Sequence, residues 1–176
     1  DGEVPTVCVN MGSPELVPKN IPIDSNLDRF ISEDVEVDGK VYKVTGVSMG
    51  NPHAVTFIDD TDSLEIEKIG PKFENNEIFP DKVNTEFIQI IDKKTVKMRV
   101  WERGSGETFA CGTGACASTV ASVLNKITSN QVTVHLRGGS LLIEWNREDN
   151  HIYMTGPAEI TFEGTFDEEK YRAQTK

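Results

Sequence analysis

Gly114-Ala115-Cys116-Ala117-Ser118-Thr119-Val120-Ala121-Ser122-Val123-Leu124 is an unbroken run of small or apolar residues with no charge. A helix lying on a protein surface needs a polar face, and one without it has to be buried on every side. The sequence before and after this run reads as strands. The stretch is therefore expected to be a central helix wrapped by sheet, and the fold class is α+β and strand-rich.

Working outward towards the N-terminus, Thr95–Val100 and Thr85–Ile91 alternate as a strand pair joined across Asp92-Lys93-Lys94. Asp62-Ser63 can cap a helix through Leu64, Ile66, Ile69 and Phe73, interrupted at Gly70-Pro71. Ala54–Ile58 is a short strand after the break at Asn51-Pro52-His53. Val35–Val47 is a hairpin about Asp38-Gly39. Val4–Asn10 is a strand closed by a turn at Met11-Gly12-Ser13-Pro14. Towards the C-terminus, strands are expected at Gln131–Leu136, Leu141–Trp145, His151–Met154 and Glu159–Phe166. No internal repeat or low-complexity linker divides the chain.

The head of the apolar run carries the chemistry. Trp101 to Gly114 (Trp-Glu-Arg-Gly-Ser-Gly-Glu-Thr-Phe-Ala-Cys-Gly-Thr-Gly) holds four glycines, several charges and Cys111. A helix start offers unpaired N–H groups and a partial charge of roughly +0.5. Gly112, Thr113 and Gly114 leave that end bare, so a carboxylate could approach the backbone. A cysteine at such a position is expected to favour its thiolate. The alternative is packing: a small buried hydrophobe beside a tight glycine turn. Packing is the reading for Cys116, more than a turn deeper, and for Cys8 among valines on a strand. Glu102 and Arg103 at a strand end are either solvated charge or partners for an amino-acid substrate. Asn51 and His53 flank a turn proline, and Asn84 alone would be a turn residue. His135 and His151 fall in strand patterns and are given no role.

The totals narrow the classes. The 176 residues suit one domain with a single core, 37% apolar and 27% charged. A net charge of −11 argues against a phosphate-tracking nucleic-acid surface. No apolar run approaches the ~18 residues of a membrane helix, and Asp1 to Pro5 lack the basic and apolar regions of a signal peptide. Three cysteines make neither a disulfide framework nor a metal cluster. Reduced thiols in a cytoplasmic protein are the simplest expectation. The chain opens without an initiator methionine at the edge of a strand-like run, so sequence upstream is expected.

Taken together, Met11-Gly12-Ser13-Pro14, Gly50-Asn51-Pro52-His53, Val83-Asn84-Thr85-Glu86-Phe87, Glu102-Arg103-Gly104, Ala110-Cys111-Gly112-Thr113-Gly114-Ala115-Cys116-Ala117 and Gly156-Pro157-Ala158 resemble the C-terminal half of diaminopimelate epimerases. The resemblance spans almost the whole chain. It implies one of two pseudo-symmetric domains, each a strand-rich roll about a central helix, with the site in the cleft between them. It also implies interconversion of LL- and meso-diaminopimelate in lysine and cell-wall precursor synthesis, with no cofactor, pyridoxal phosphate or metal. By the same resemblance Cys111 is one of two catalytic thiols, and Glu102 and His53 support proton transfer. Gly112 and Thr113 take the α-carboxylate, and Asn51, Asn84 and Arg103 recognise the rest of the substrate. The family's other thiol lies in an N-terminal domain that these residues do not include.

Chemistry alone exposes the same gap. Inverting a carbon by proton exchange is simplest with a base on one face and an acid on the other. Neither Cys116 nor Cys8 is a convincing partner for Cys111, so the expected partners are the N-terminal domain or a second copy in a homodimer. Three readings stay open here: an epimerase domain inactive alone, a carboxylate-binding module without turnover, and a related cofactor-independent racemase or isomerase with another substrate. A redox thiol protein is disfavoured by the lack of Cys-x-x-Cys.

Overall fold

The computed structural model describes residues 5–168. In chain order they form β1 (Thr6–Asn10), β2 (Glu33–Val37), β3 (Lys40–Ser48), β4 (Pro52–Phe57), α1 (Ile66–Glu74), β5 (Asn84–Asp92), β6 (Thr95–Glu102), β7 (Gly106–Thr108), α2 (Gly112–Leu124), β8 (Gln131–Leu136), β9 (Gly139–Trp145) and β10 (Ile152–Pro157). The strands make one sheet in the order β1-β10-β9-β8-β6-β5-β4-β3-β2, with β7 added beside β6. The ladders are antiparallel except β4–β5 and β6–β8. Those two parallel pairs are the ones bridged by α1 and α2, since a parallel return needs a long crossover. The α+β, strand-rich class read from the sequence is the class observed.

The sheet curls about α2, which packs against β3, β4, β5, β8, β9 and β10. Every residue of α2 from Gly114 to Ser122 is buried. Small side chains let the strands approach, and the apolar inner face of the sheet (Val55, Ile88, Val100 and Ile143 among others) closes over them. Two of the helix hydroxyls are met within the helix: Ser118 and Ser122 donate to the carbonyls of Gly114 and Ser118, both at 2.7 Å. The buried Thr119 hydroxyl has no hydrogen-bond partner among the described residues. A second core lies on the outer face, where Ile66 and Phe73 of α1 pack with Val44 and Phe87. No helix among the described residues is long and apolar enough to cross a membrane.

The sheet splays between β6 and β8. β6 pairs with β8 only from Thr95 to Lys97, and its far end turns instead to β7, with Val100 opposite Thr108 and Glu102 opposite Gly106. From β7 the chain passes through exposed Phe109 and Ala110 to the start of α2. The helix N-terminus therefore lies at the opening rather than under the sheet.

Three expectations are corrected here. First, the Asp60 carboxylate accepts the N–H groups of Asp62 and Ser63 at 2.9 and 3.2 Å, so that stretch is a turn and caps nothing. α1 starts at Ile66 and runs through Pro71. Packing overrides the breaker: Gly70 lies against the Trp101 ring with no room for a Cβ. Phe73 meets Tyr42 and Phe87 edge-on at 5.0 and 5.4 Å. Second, Cys8 is exposed, because β1 is an edge strand with no buried face. Third, residues 159–166 form no strand. β1 already occupies the open side of β10, and Ile160 and Phe162 stand 82% and 84% exposed. Val4, placed on the first strand by its sequence, lies outside the described residues.

Candidate active site

Register brings the site together. β4 and β5 begin side by side, with His53 opposite Asn84 and Val55 opposite Glu86. β6 runs the other way and ends beside them, Val100 facing Glu86. Strand period two then places His53, Asn84, Glu86 and Glu102 on the face turned towards α2. The helix start arrives at the same place.

Cys111 is the N-cap of α2 in extended conformation (φ −139°, ψ 107°). Its Sγ accepts the Gly114 N–H at 3.4 Å and lies 3.5 Å from the Thr113 hydroxyl. The N–H groups of Gly112 and Thr113 follow, at the turn where no earlier carbonyl can take them. Gly114 has to be glycine: a Cβ there would stand 2.7 Å from Glu86 Oε1 and 3.2 Å from Cys111 Sγ. Helix, sulfur and carboxylate meet only because that atom is missing.

The expectation of a thiolate is reversed. Cys111 is 7% exposed. Burial first, and the Glu86 negative charge second, push its thiol up to about 11. The Thr113 hydroxyl and the Gly114 N–H favour the anion but are outweighed. Desolvation defeats the helix terminus, so the resting group is S–H.

The remaining residues named from the sequence gather around this point, in unequal positions. His53 is fully buried. Its Nδ1 lies 2.7 Å from Glu86 Oε1, and its Nε2 lies 3.0 Å from Asn51 Oδ1. Asn51 is half-buried and is the outer member of that chain of three. Asn84 is a clasp: Nδ2 donates to the Pro52 carbonyl at 2.8 Å, and Oδ1 accepts the Arg103 N–H at 2.9 Å. It joins the entry to β4 with the exit of β6 and keeps one amide hydrogen free. Half-buried Glu102 accepts the Thr108 hydroxyl across the β6–β7 hairpin. Arg103 sits exposed at the rim, where Nη1 donates to the Asp81 carbonyl at 2.9 Å.

Sequence reasoning missed Glu86 as a member of the site. The signal was its place two residues after Asn84 and two before Ile88, hence on the inner face of an otherwise apolar strand. It also missed the clamp that fixes the hairpin. Glu107 accepts from Arg99 Nε at 2.7 Å and pairs with Arg137 at 2.8 Å, while Arg99 also donates to the Thr61 and Leu64 carbonyls. Among the described residues, no group of three or more His, Cys, Asp or Glu is placed to hold a metal ion.

The diaminopimelate epimerase family model matches residues 45–161. The chain is 57% identical over 95% of its length to the diaminopimelate epimerase of Acetivibrio thermocellus. It is 54% identical over 95% of its length to that of Methanococcus maripaludis. In each case it covers 60% of the relative, so it spans about three-fifths of the curated relatives it matches. Among solved structures, an epimerase from Pseudomonas aeruginosa (so described from prediction) superposes with a TM-score of 0.56 at 12% identity. That match covers 93% of this chain and 61% of the other, and it supports the fold. On the family match and these identities, the chain belongs to the diaminopimelate epimerase family.

Proposed function

We propose that this chain supplies one face of a cofactor-independent epimerase site that interconverts LL- and meso-diaminopimelate in lysine and peptidoglycan precursor synthesis. Cys111 is its proton donor and acceptor. The observation that carries the reading is the Cys111 thiol at the N-cap of a buried helix, next to the first-turn N–H groups of Gly112 and Thr113. The N–H groups of Gly112 and Thr113 hold the α-carboxylate and stabilise the negative charge that develops when the α-proton leaves. A base on the opposite face takes that proton. Cys111 S–H delivers its proton to the α-carbon from this face and becomes a thiolate. The reverse reaction exchanges the two roles. Glu102, on the same inner face, supports the transfer. Asn51, Asn84 and Arg103 recognise the rest of the substrate, and His53 orients Asn51 from behind. Three unpaired cysteines suit the reducing cytoplasm.

The opposing base comes from outside this chain, because Cys116 is buried inside α2 and Cys8 lies on the sheet edge. The test is α-proton exchange in D2O, followed by NMR on both diaminopimelate isomers. The expected result is no exchange by the chain alone and exchange once the N-terminal part of a family member is added. Exchange surviving Cys111→Ala in the completed enzyme would refute the role of the thiol. Binding without exchange in that enzyme would favour a binding module.

A further inference from the structure

Glu86 is fully buried on the inner face of the sheet. Oε1 takes the His53 contact at 2.7 Å, and Oε2 has no hydrogen-bond partner among the described residues. Its neighbours along that face, Val55, Ile88 and Val100, are apolar core residues. Nothing in the packing asks for an acid there, and a half-satisfied buried carboxyl is costly against an apolar residue of similar volume. Two things offset that cost. One is the positive end of α2, against which the carboxyl is pressed at Gly114. The other is the His53 ring. Both belong to the Cys111 centre.

We propose that Glu86 is a positioning residue of this centre, holding His53 through Nδ1 and setting the charge beneath the Cys111 sulfur. The inference rests on the reading of Cys111 as the proton donor. Through the ring it fixes the plane of His53 and turns Nε2 towards Asn51. Through space it keeps the sulfur protonated until a substrate carrying positive charge arrives. The titratable groups facing the sulfur are Glu86 from β5, Glu102 from β6 and Cys116 from α2, with His53 of β4 joined through Glu86. Among these, Glu86 alone is both held to His53 and pressed against the helix start.

The test is Glu86→Gln in the full chain. Glutamine keeps the shape and an oxygen for the His53 N–H while removing the charge. Short iodoacetamide pulses across pH, read peptide by peptide by mass spectrometry, give the midpoint for Cys111, with exposed Cys8 as internal control. An adjacent charge moves such a midpoint by ~1–3 units. The expected result is a fall of about one unit or more in Glu86→Gln, largely restored in Glu86→Asp, with Cys8 unmoved. An unchanged midpoint in folded Glu86→Gln, or equal shifts in the Gln and Asp variants, would overturn the proposal. Should the variants fail to fold, the His53 ring nitrogens of the unaltered chain decide by 15N NMR. A protonated Nδ1 is required, and a bare Nδ1 rejects the contact. Neither readout needs turnover, so a chain that fails the exchange assay leaves them intact, and their failure leaves the exchange reading untouched.

Discussion

Replacing Gly114 with alanine tests the geometry of the junction more directly than any substitution of a charged group. The added methyl would stand 2.7 Å from Glu86 Oε1 and 3.2 Å from Cys111 Sγ. Both separations lie inside ordinary contact. Neither neighbour has an easy retreat, since Glu86 is fully buried and bound to His53, and Cys111 caps the helix. Overpacking of this kind costs ~1–3 kcal/mol. Alanine recovers at most ~1 kcal/mol of helix propensity over glycine. The expected net loss is ~1–2 kcal/mol, or about 2–8 °C in Tm for a chain of this size. Urea titration reads it as a lower midpoint at unchanged slope. Gly112→Ala is the matched control. Its Cβ would meet only the Met154 side chain, with Sδ at 3.2 Å and Cε at 3.4 Å. That side chain is flexible, and a loss below ~0.5 kcal/mol is expected. A Gly114→Ala chain as stable as its parent would mean that sulfur and carboxylate can step aside, and the account of a close-packed junction would fail.

Cys111→Ser should abolish proton transfer in the completed enzyme while changing stability by less than ~1 kcal/mol, since serine is itself a favoured N-cap; a large drop in Tm would show that the sulfur's packing matters more than its cap. Near neutral pH, iodoacetamide should modify Cys8 first, Cys111 slowly and Cys116 only on unfolding, reversing the order a helix-start thiolate would give. Burial raises Cys111 to about 11 and Cys116 to about 12, from an ordinary 9.0. A raised folded value means that this stability is complete below about pH 9 and is lost as pH rises through the folded values. Urea midpoints should therefore fall across that alkaline window, and a flat profile would contradict it. Glu107 is held below the ordinary carboxylate range by its bond to Arg99 and then by Arg137, so its contribution disappears as pH falls. Glu107→Gln should cost ~1–3 kcal/mol in urea titration. Ile160→Ser and Phe162→Ser should each leave this chain's Tm within about 2 °C, because both side chains are exposed.

What could be read beforehand depended on whether a residue's surroundings were local. Gly114–Leu124 announced its burial because an uncharged helix has one stable place. β8 matched its expected bounds because alternation and turn residues agreed. The failures share a cause. Cys8 sits among valines, and only the order of strands shows that β1 is an edge. Pro71 breaks helices in isolation, and only the Trp101 ring over Gly70 shows why α1 continues. Residues 159–166 alternate like a strand, yet alternation cannot supply a partner. Of the site, the motif residues around Cys111 were legible from their clustering. The protonation of its thiol was not, because desolvation is a sum over neighbours far away in sequence. Glu86 was passed over for the same reason: an acid in a strand usually faces water.

The small side chains of α2 set a gauge. They fix how near the strands come to the helix axis, and so how far Cys111 stands from β5 and β6. Its position is thus inherited from the core rather than from the loops. Exchanging the β6–β7 turn at 103–105 or the connection at 126–130 for other sequences would leave the thiol where it is. One large residue at Ala117, deep in the roll, would move it without touching anything near the opening. For anyone transplanting or redesigning this centre, the unit that carries the thiol's position is therefore the helix together with its sheet, and the charged rim around Arg103 has to be kept for the substrate rather than for the thiol.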